Sequence, residues 1–143
     1  MIKKIIEPSQ IELDQIMNIW YQANCDAHDF INKRYWAERI EQVRELIPTA
    51  TLYVFIKANE IVAFIGLAEH FIAGLFVKQQ YRGQGIGQQL LQQAMRDQNS
   101  LELAVYCDNK QAVTFYQKNN FAIVEEKLDP AVEAMEYRME WKR

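Results

Sequence analysis

The chain has 143 residues, half of them hydrophobic and 12% aromatic, enough for one domain with one substantial core and too apolar for a disordered chain. Its net charge of −3 argues against a nucleic-acid binder, whose usual footprint is a basic surface. No apolar run approaches the roughly 18 residues of a membrane span, and the apolar run at the N-terminus is too short for a signal peptide. Cys25 and Cys107 make no metal-type spacing with His28 and His70, so no metal is expected, and the simplest setting is a reduced cytoplasm.

In chain order, Ile2 to Ile6 reads as a strand. Pro8-Ser9 then opens a helix, with Glu12 in capping-box spacing and an apolar stripe of Leu13, Ile16, Met17, Trp20 and Ala23. Cys25 to Lys33 reads as a polar connection carrying His28 and Asp29. A second helix is expected from about Tyr35 to Ile47, closed by Pro48. The period then changes. Thr51 to Lys57 and Ile61 to Leu67 are apolar runs joined by a short turn, which predicts an antiparallel hairpin. Glu69-His70 interrupts before the next strand, which leads through Gly74-Leu75-Phe76-Val77 to a turn holding Gly83, Gly85 and Gly87. Ile86, Leu90, Leu91, Ala94 and Met95 then recur at helical spacing. Leu101, Leu103 and Val105 alternate as a strand. Asp108-Asn109 caps a helix of about ten residues, ended by Asn119-Asn120. Phe121 to Leu128 and Ala134 to Trp141 close the chain as two strands around Asp129-Pro130. The expected class is α+β: a mixed, mostly antiparallel sheet of about seven strands with about four helices, in the order β-αα-βββ-α-β-α-ββ. With no linker or repeat, residues 1–143 read as a single domain.

Strand, glycine turn and helix N-terminus together make an anion site. The first helical N–H groups have no intrahelical acceptor, that end of the dipole is positive, and glycines let a ligand approach the backbone. Three phosphate sites compete. A P-loop needs Lys-Ser/Thr after its last glycine, which is absent here. A dinucleotide fingerprint needs Gly-x-Gly-x-x-Gly, whereas Gly83-x-Gly85-x-Gly87 is one residue short and follows a meander without a βαβ crossover.

Arg82-Gly83-Gln84-Gly85-Ile86-Gly87 matches Arg/Gln-x-x-Gly-x-Gly/Ala, the coenzyme A pyrophosphate motif of the GCN5-related N-acetyltransferases. Asn109-x-x-Ala112-x-x-Phe115-Tyr116-x-x-x-Asn120-Phe121 resembles the second motif of that family, with Asn120 where glycine is usual. The order of elements resembles the family's over nearly the whole chain. Within the family, Trp20 to Phe30 resembles a bacterial subgroup of small acetyltransferases.

The resemblance implies an acetyl-CoA-dependent N-acetyltransferase acting by direct attack in a ternary complex, with acetyl-CoA as co-substrate. It implies that the backbone around Arg82, Gly83, Gln84, Gly85, Ile86, Gly87 and Gln88 holds the pyrophosphate. Leu75, Phe76 and Val77 would line the pantetheine arm, Asn109 would bond it, and Tyr116 would be the general acid near the sulfur. Glu69, His70 and His28 are the candidate bases. The expected acceptor is a small-molecule or peptide amine, with no nucleic acid or membrane as partner, and the protein a monomer or homodimer. Two further readings stay open: a catalytically silent coenzyme-A-binding sensor, and a nucleotide-binding domain using the same turn.

Overall fold

The computed structural model describes residues 1–143. The elements follow in the order β1 (Ile2–Ile5), α1 (Gln10–Ala27), α2 (Lys33–Ala37), α3 (Ile40–Leu46), β2 (Thr51–Lys57), β3 (Glu60–Ala68), β4 (Phe71–Val77), α4 (Ile86–Asp97), β5 (Ser100–Tyr106), α5 (Lys110–Lys118), β6 (Ala122–Asp129) and β7 (Ala134–Lys142). Short 3-10 turns precede β2 and α4. All seven strands form one sheet in the order β1-β2-β3-β4-β5-β7-β6. Every neighbouring pair is antiparallel except β4 and β5.

The expected elements are all present, with two corrections among the helices. The first concerns α1, which runs through Cys25 to Ala27, into the segment read as a connection. Its start is as expected: Ser9 Oγ accepts from Glu12 N–H and Glu12 Oε1 accepts from Ser9 N–H. The second concerns residues 35–47, which are two helices, so there are five rather than about four. The break is made by a side chain. Arg39 donates from its guanidinium to the Tyr35 carbonyl and lies 3.5 Å from the centre of the Tyr35 ring. It thereby takes the acceptor that its own N–H would use in a continuous helix, and that N–H bonds to Trp36 O instead.

The sheet is covered on both faces. Tyr53, Ile65, Leu67, Leu103 and Val105 pack with α4 and α5, while Leu52, Val54 and Phe64 pack with α1, Trp36 and Ile47. Residues Ile61–Leu67 of β3 are buried on both sides, which explains their unbroken apolar run. Fully burying one such side chain contributes about 1.5–3 kcal/mol. No helix is long and apolar enough to cross a membrane.

One irregularity positions everything functional. β4 and β5 pair only at Phe71 and Glu102, next to a Glu102 N–H bond to His70 O. Beyond that point the two strands diverge, and a cleft opens through the sheet. The Lys78 N–H bonds Val62 O, so by the antiparallel alternation Phe76 and Gly74 turn their backbone polar groups to β3. Leu75 and Val77 turn theirs into the cleft.

Candidate active site

The cleft holds two cavities that share Leu75, Phe76, Asn109, Ala112 and Tyr116. The larger, about 520 Å³, reaches the glycine turn, and the smaller, about 280 Å³, reaches the C-terminal end of α1 and the strands β5 and β7.

At the larger mouth, Gly83 and Gly85 both have φ of +78°, and a Cβ on either would meet nothing within 4 Å. These glycines are therefore required by backbone conformation, not by crowding. Gly85 is the N-cap of α4, with no side-chain cap, and the first helical bond is Gln89 N–H to Gly85 O. The N–H groups of residues 83 to 88 consequently have no acceptor within the protein. Arg82 sits across the same mouth, donating from Nε to Val77 O at 3.0 Å and lying 3.7 Å from Asp26. Converging N–H donors beside a guanidinium at a helix N-terminus form a donor set for a pyrophosphate. Arg82, Gly83, Gly85, Ile86, Gly87 and Gln88 all line this cavity. Gln84 does not; its side chain accepts from Lys57 Nζ at 2.9 Å and ties the turn to β2. The donors at this mouth are thus mainly backbone N–H groups.

In the middle, Asn109 caps α5, its Oδ1 accepting from Ala112 N–H at 3.3 Å. That leaves its Nδ2 toward His28 Nε2, 3.3 Å away. The His28 Nδ1 lies 3.1 Å from Asn24 O, a pure acceptor, so Nδ1 carries the proton and Nε2 presents its lone pair to Asn109. His28 is buried, and burial lowers its pKa from the ordinary histidine value. Its ring packs against Phe30, Trp36 and Tyr106 at 5.2–5.6 Å between centroids. Tyr116 is also buried, and burial alone raises its pKa. Its ring packs on Phe115 and Phe121, while its hydroxyl makes no hydrogen bond within the protein. Asn120 adopts φ of +72°, the left-handed conformation a glycine would supply.

The cleft therefore gathers Tyr116, Asn109 and His28, but not Glu69 and His70. The turn carrying those two residues lies at the closed end of the β4–β5 fork. There Gln98 donates to Glu69 O, and His70 lies 3.7 Å from Glu102. The length of β4, roughly 20 Å, separates this turn from the glycine cradle. Their sequence position beside β4 is as expected, but neither residue lines either cavity. Cys107 lines neither cavity, and burial raises its thiol pKa.

Two contributors have no local signature. Trp36 lines the smaller cavity, and its indole N–H is buried without a hydrogen-bond partner. Glu136 lines the same cavity from β7, opposite Tyr106 of β5. Alternation along β7 puts Glu136 on the face of Arg138 and Glu140, away from buried Met139. Only the register of β7 against β5 brings it to the cleft.

Residues 48–123 match the family model described as acetyltransferase (GNAT) domain. The chain is 32% identical over 123 residues to the peptidyl-lysine N-acetyltransferase YiaC of Escherichia coli, covering 85% of this chain and 84% of that protein. It is 34% identical over 113 residues to the peptidyl-lysine N-acetyltransferase YjaB of Salmonella typhimurium, covering 78% of each. The solution structure of apo YjaB from Escherichia coli superposes with a TM-score of 0.82 at 26% identity, covering 99% of this chain and 97% of that one. The PaiA N-acetyltransferase from Thermoplasma acidophilum in complex with coenzyme A has the same fold, with a TM-score of 0.82 at 18% identity, covering 100% of this chain and 99% of that one. A free backbone cradle, a forked β4–β5 cleft and these matches together lead to one family: the chain belongs to the GCN5-related N-acetyltransferases (GNAT) and is an acetyltransferase that uses acetyl-CoA.

Proposed function

We propose that this acetyltransferase acts on lysine side chains of peptides or proteins, by direct attack of the amine within a ternary complex. The observation that carries the reading is the continuity of the cleft. A donor cradle for phosphates lies at one mouth, an aromatic and acidic chamber at the other, and Tyr116 belongs to both cavities. The chamber, about 280 Å³, has aromatic walls and one carboxylate, which suits a cationic alkylamine, and the relatives are named as peptidyl-lysine acetyltransferases.

Bound acetyl-CoA supplies an activated acetyl group as a thioester. The residues of this chain do the rest. The free N–H groups of residues 83 to 88 and Arg82 hold the pyrophosphate. The cleft-facing N–H groups of Leu75 and Val77 extend the sheet along the pantetheine and offer a donor to the carbonyl oxygen as charge develops. Asn109 bonds the arm with its side chain while capping α5. His28, with both ring nitrogens engaged, holds Asn109 in that orientation and acts as a positioning group. Tyr116, kept protonated by burial, donates its hydroxyl proton to the departing sulfur.

An acceptor panel tests this reading. The protein should acetylate lysine-containing peptides at their side chains faster than polyamines, aminoglycosides or free amino acids. Faster transfer to any of those three classes would overturn the assignment of a lysine acceptor.

A further inference from the structure

We propose that Glu136 receives the acceptor ammonium at the inner mouth of the cleft and takes up the proton that it must lose before attack. The inference rests on the lysine reading above and deepens it. A lysine amine has a pKa near 10.4, so at neutral pH it arrives charged and needs a proton acceptor.

The geometry singles out Glu136 among the carboxylates of this face. Arg138 is 3.5 Å from Glu102, 3.2 Å from Glu125 and 2.6 Å from Glu140, which engages all three. Asp129 is occupied as well, accepting from the Tyr106 hydroxyl at 2.8 Å and from Ala131 N–H at 3.1 Å. Glu136 makes neither an ion pair nor a side-chain hydrogen bond, is half-buried, and lines the chamber that also contains Tyr116 and His28. The walls of that chamber include the rings of Trp20, Trp36 and Tyr106. Aromatic walls around one unpaired carboxylate form a site for an alkyl ammonium.

The charged surroundings are consistent with a base. Asp129 on β6 repels the ionised form of Glu136, Lys127 on β6 favours it, and Tyr106 on β5 lies opposite in the ladder. His28 lines the chamber and Tyr35 of α2 interacts with Tyr106, while Arg138 belongs to its own cluster. Burial and then Asp129 raise the Glu136 pKa above the usual carboxylate value. A raised value brings the base closer to neutral pH, where proton transfer is most effective.

The step balances. The ammonium gives one proton to the Glu136 carboxylate. The freed lone pair forms the C–N bond as the C–S bond breaks. Tyr116 gives its proton to the sulfur and recovers the second proton from the nitrogen, and Glu136 releases its proton to solvent. One proton is released per acetyl group transferred.

The test compares wild type, Glu136→Gln and Glu136→Asp on a lysine peptide and on the same peptide with an aminooxy group in place of the lysine ammonium, uncharged at neutral pH. Wild type should show kcat/KM for the lysine peptide nearly flat between pH 7 and 9. Glu136→Gln should be about 100-fold slower at pH 7.5 and gain about tenfold per pH unit toward the amine pKa near 10.4. Its deficit should vanish on the aminooxy peptide, and Glu136→Asp should restore part of the flat profile. Acetyl-CoA should raise the melting temperature of all three equally. A Glu136→Gln profile parallel to wild type, or an equal loss on both peptides, overturns the role of Glu136 and leaves the lysine reading intact. Wild type inactive on both peptides would overturn the lysine reading itself.

Discussion

Alanine at two glycines only two residues apart should have opposite effects. Gly85 holds φ of +78° and ψ of 9° as the N-cap of α4. An L-residue in that conformation costs about 1–2 kcal/mol, offset in part by about 0.4–1 kcal/mol of lost freedom in the unfolded chain. Gly85→Ala should therefore destabilise by about 1 kcal/mol, although nothing lies within 4 Å of the new methyl. Gly87 has ordinary helical φ, and its Cβ would meet Val77 at 3.6 Å and Phe115 at 3.8 Å, normal contact distances. Gly87→Ala should stabilise by about 0.5–1 kcal/mol, the helix preference for alanine over glycine. For a domain of this size each kcal/mol moves the melting temperature by about 3 °C. Ligand response separates the two further. Acetyl-CoA at 100 times its Kd adds about 2.7 kcal/mol. Gly87→Ala should keep that gain, while Gly85→Ala, with its N–H groups displaced, should bind at least tenfold more weakly and lose about 1.4 kcal/mol of it. Thermal unfolding with and without acetyl-CoA reads both effects. A Gly85→Ala protein as stable and as responsive as wild type would refute the backbone cradle.

Three other outcomes are expected. Tyr116→Phe should leave the melting temperature within about 2 °C of wild type, because the hydroxyl has no partner in the protein. It should lower kcat by about 10²-fold or more, and unchanged turnover would remove Tyr116 from the acid role. The lowered pKa of buried His28 means that the unfolded chain binds more protons below the ordinary value near 6.5. Stability from this group is thus complete above about 6.5 and is lost as pH falls toward the folded value. His28→Gln should flatten that part of a stability profile measured by urea unfolding. Ser9→Ala breaks the capping box and should cost about 1 kcal/mol by the same method; no loss would mean that the cap does not hold α1.

Legibility in the sequence tracked how local each feature is. The glycine turn and the Asn109 to Phe121 segment each lie on one turn and one helix, so spacing marked them as an anion turn and a capped helix, and the family resemblance supplied their roles. The capping box at Ser9 and Glu12 was legible for the same reason. The order of strands and helices along the chain followed from apolar runs, caps and short turns. By contrast, the break between α2 and α3 depends on Arg39 bonding the Tyr35 carbonyl, a competition that helical periodicity does not register. Glu69 and His70 were misplaced because adjacency in sequence to β4 says nothing about which residues line the cleft. Glu136 was invisible: its role depends on pairing β7 with β5 so that Tyr106 and Glu136 stand opposite, a contact across 30 residues of chain. Trp36 falls inside the helix expected from about Tyr35 to Ile47, and only the tertiary packing brings it against Trp20 and His28 and leaves its N–H without a partner inside the protein.

The central claim is that this cleft moves acetyl from acetyl-CoA to a lysine amine. Mass spectrometry of a lysine peptide incubated with the protein and acetyl-CoA, with released thiol titrated in the same reaction, tests it most directly. The account predicts one side-chain acetyl group on the peptide for every thiol released. Thiol release without peptide acetylation, or acetyl-CoA binding with neither product, would contradict it.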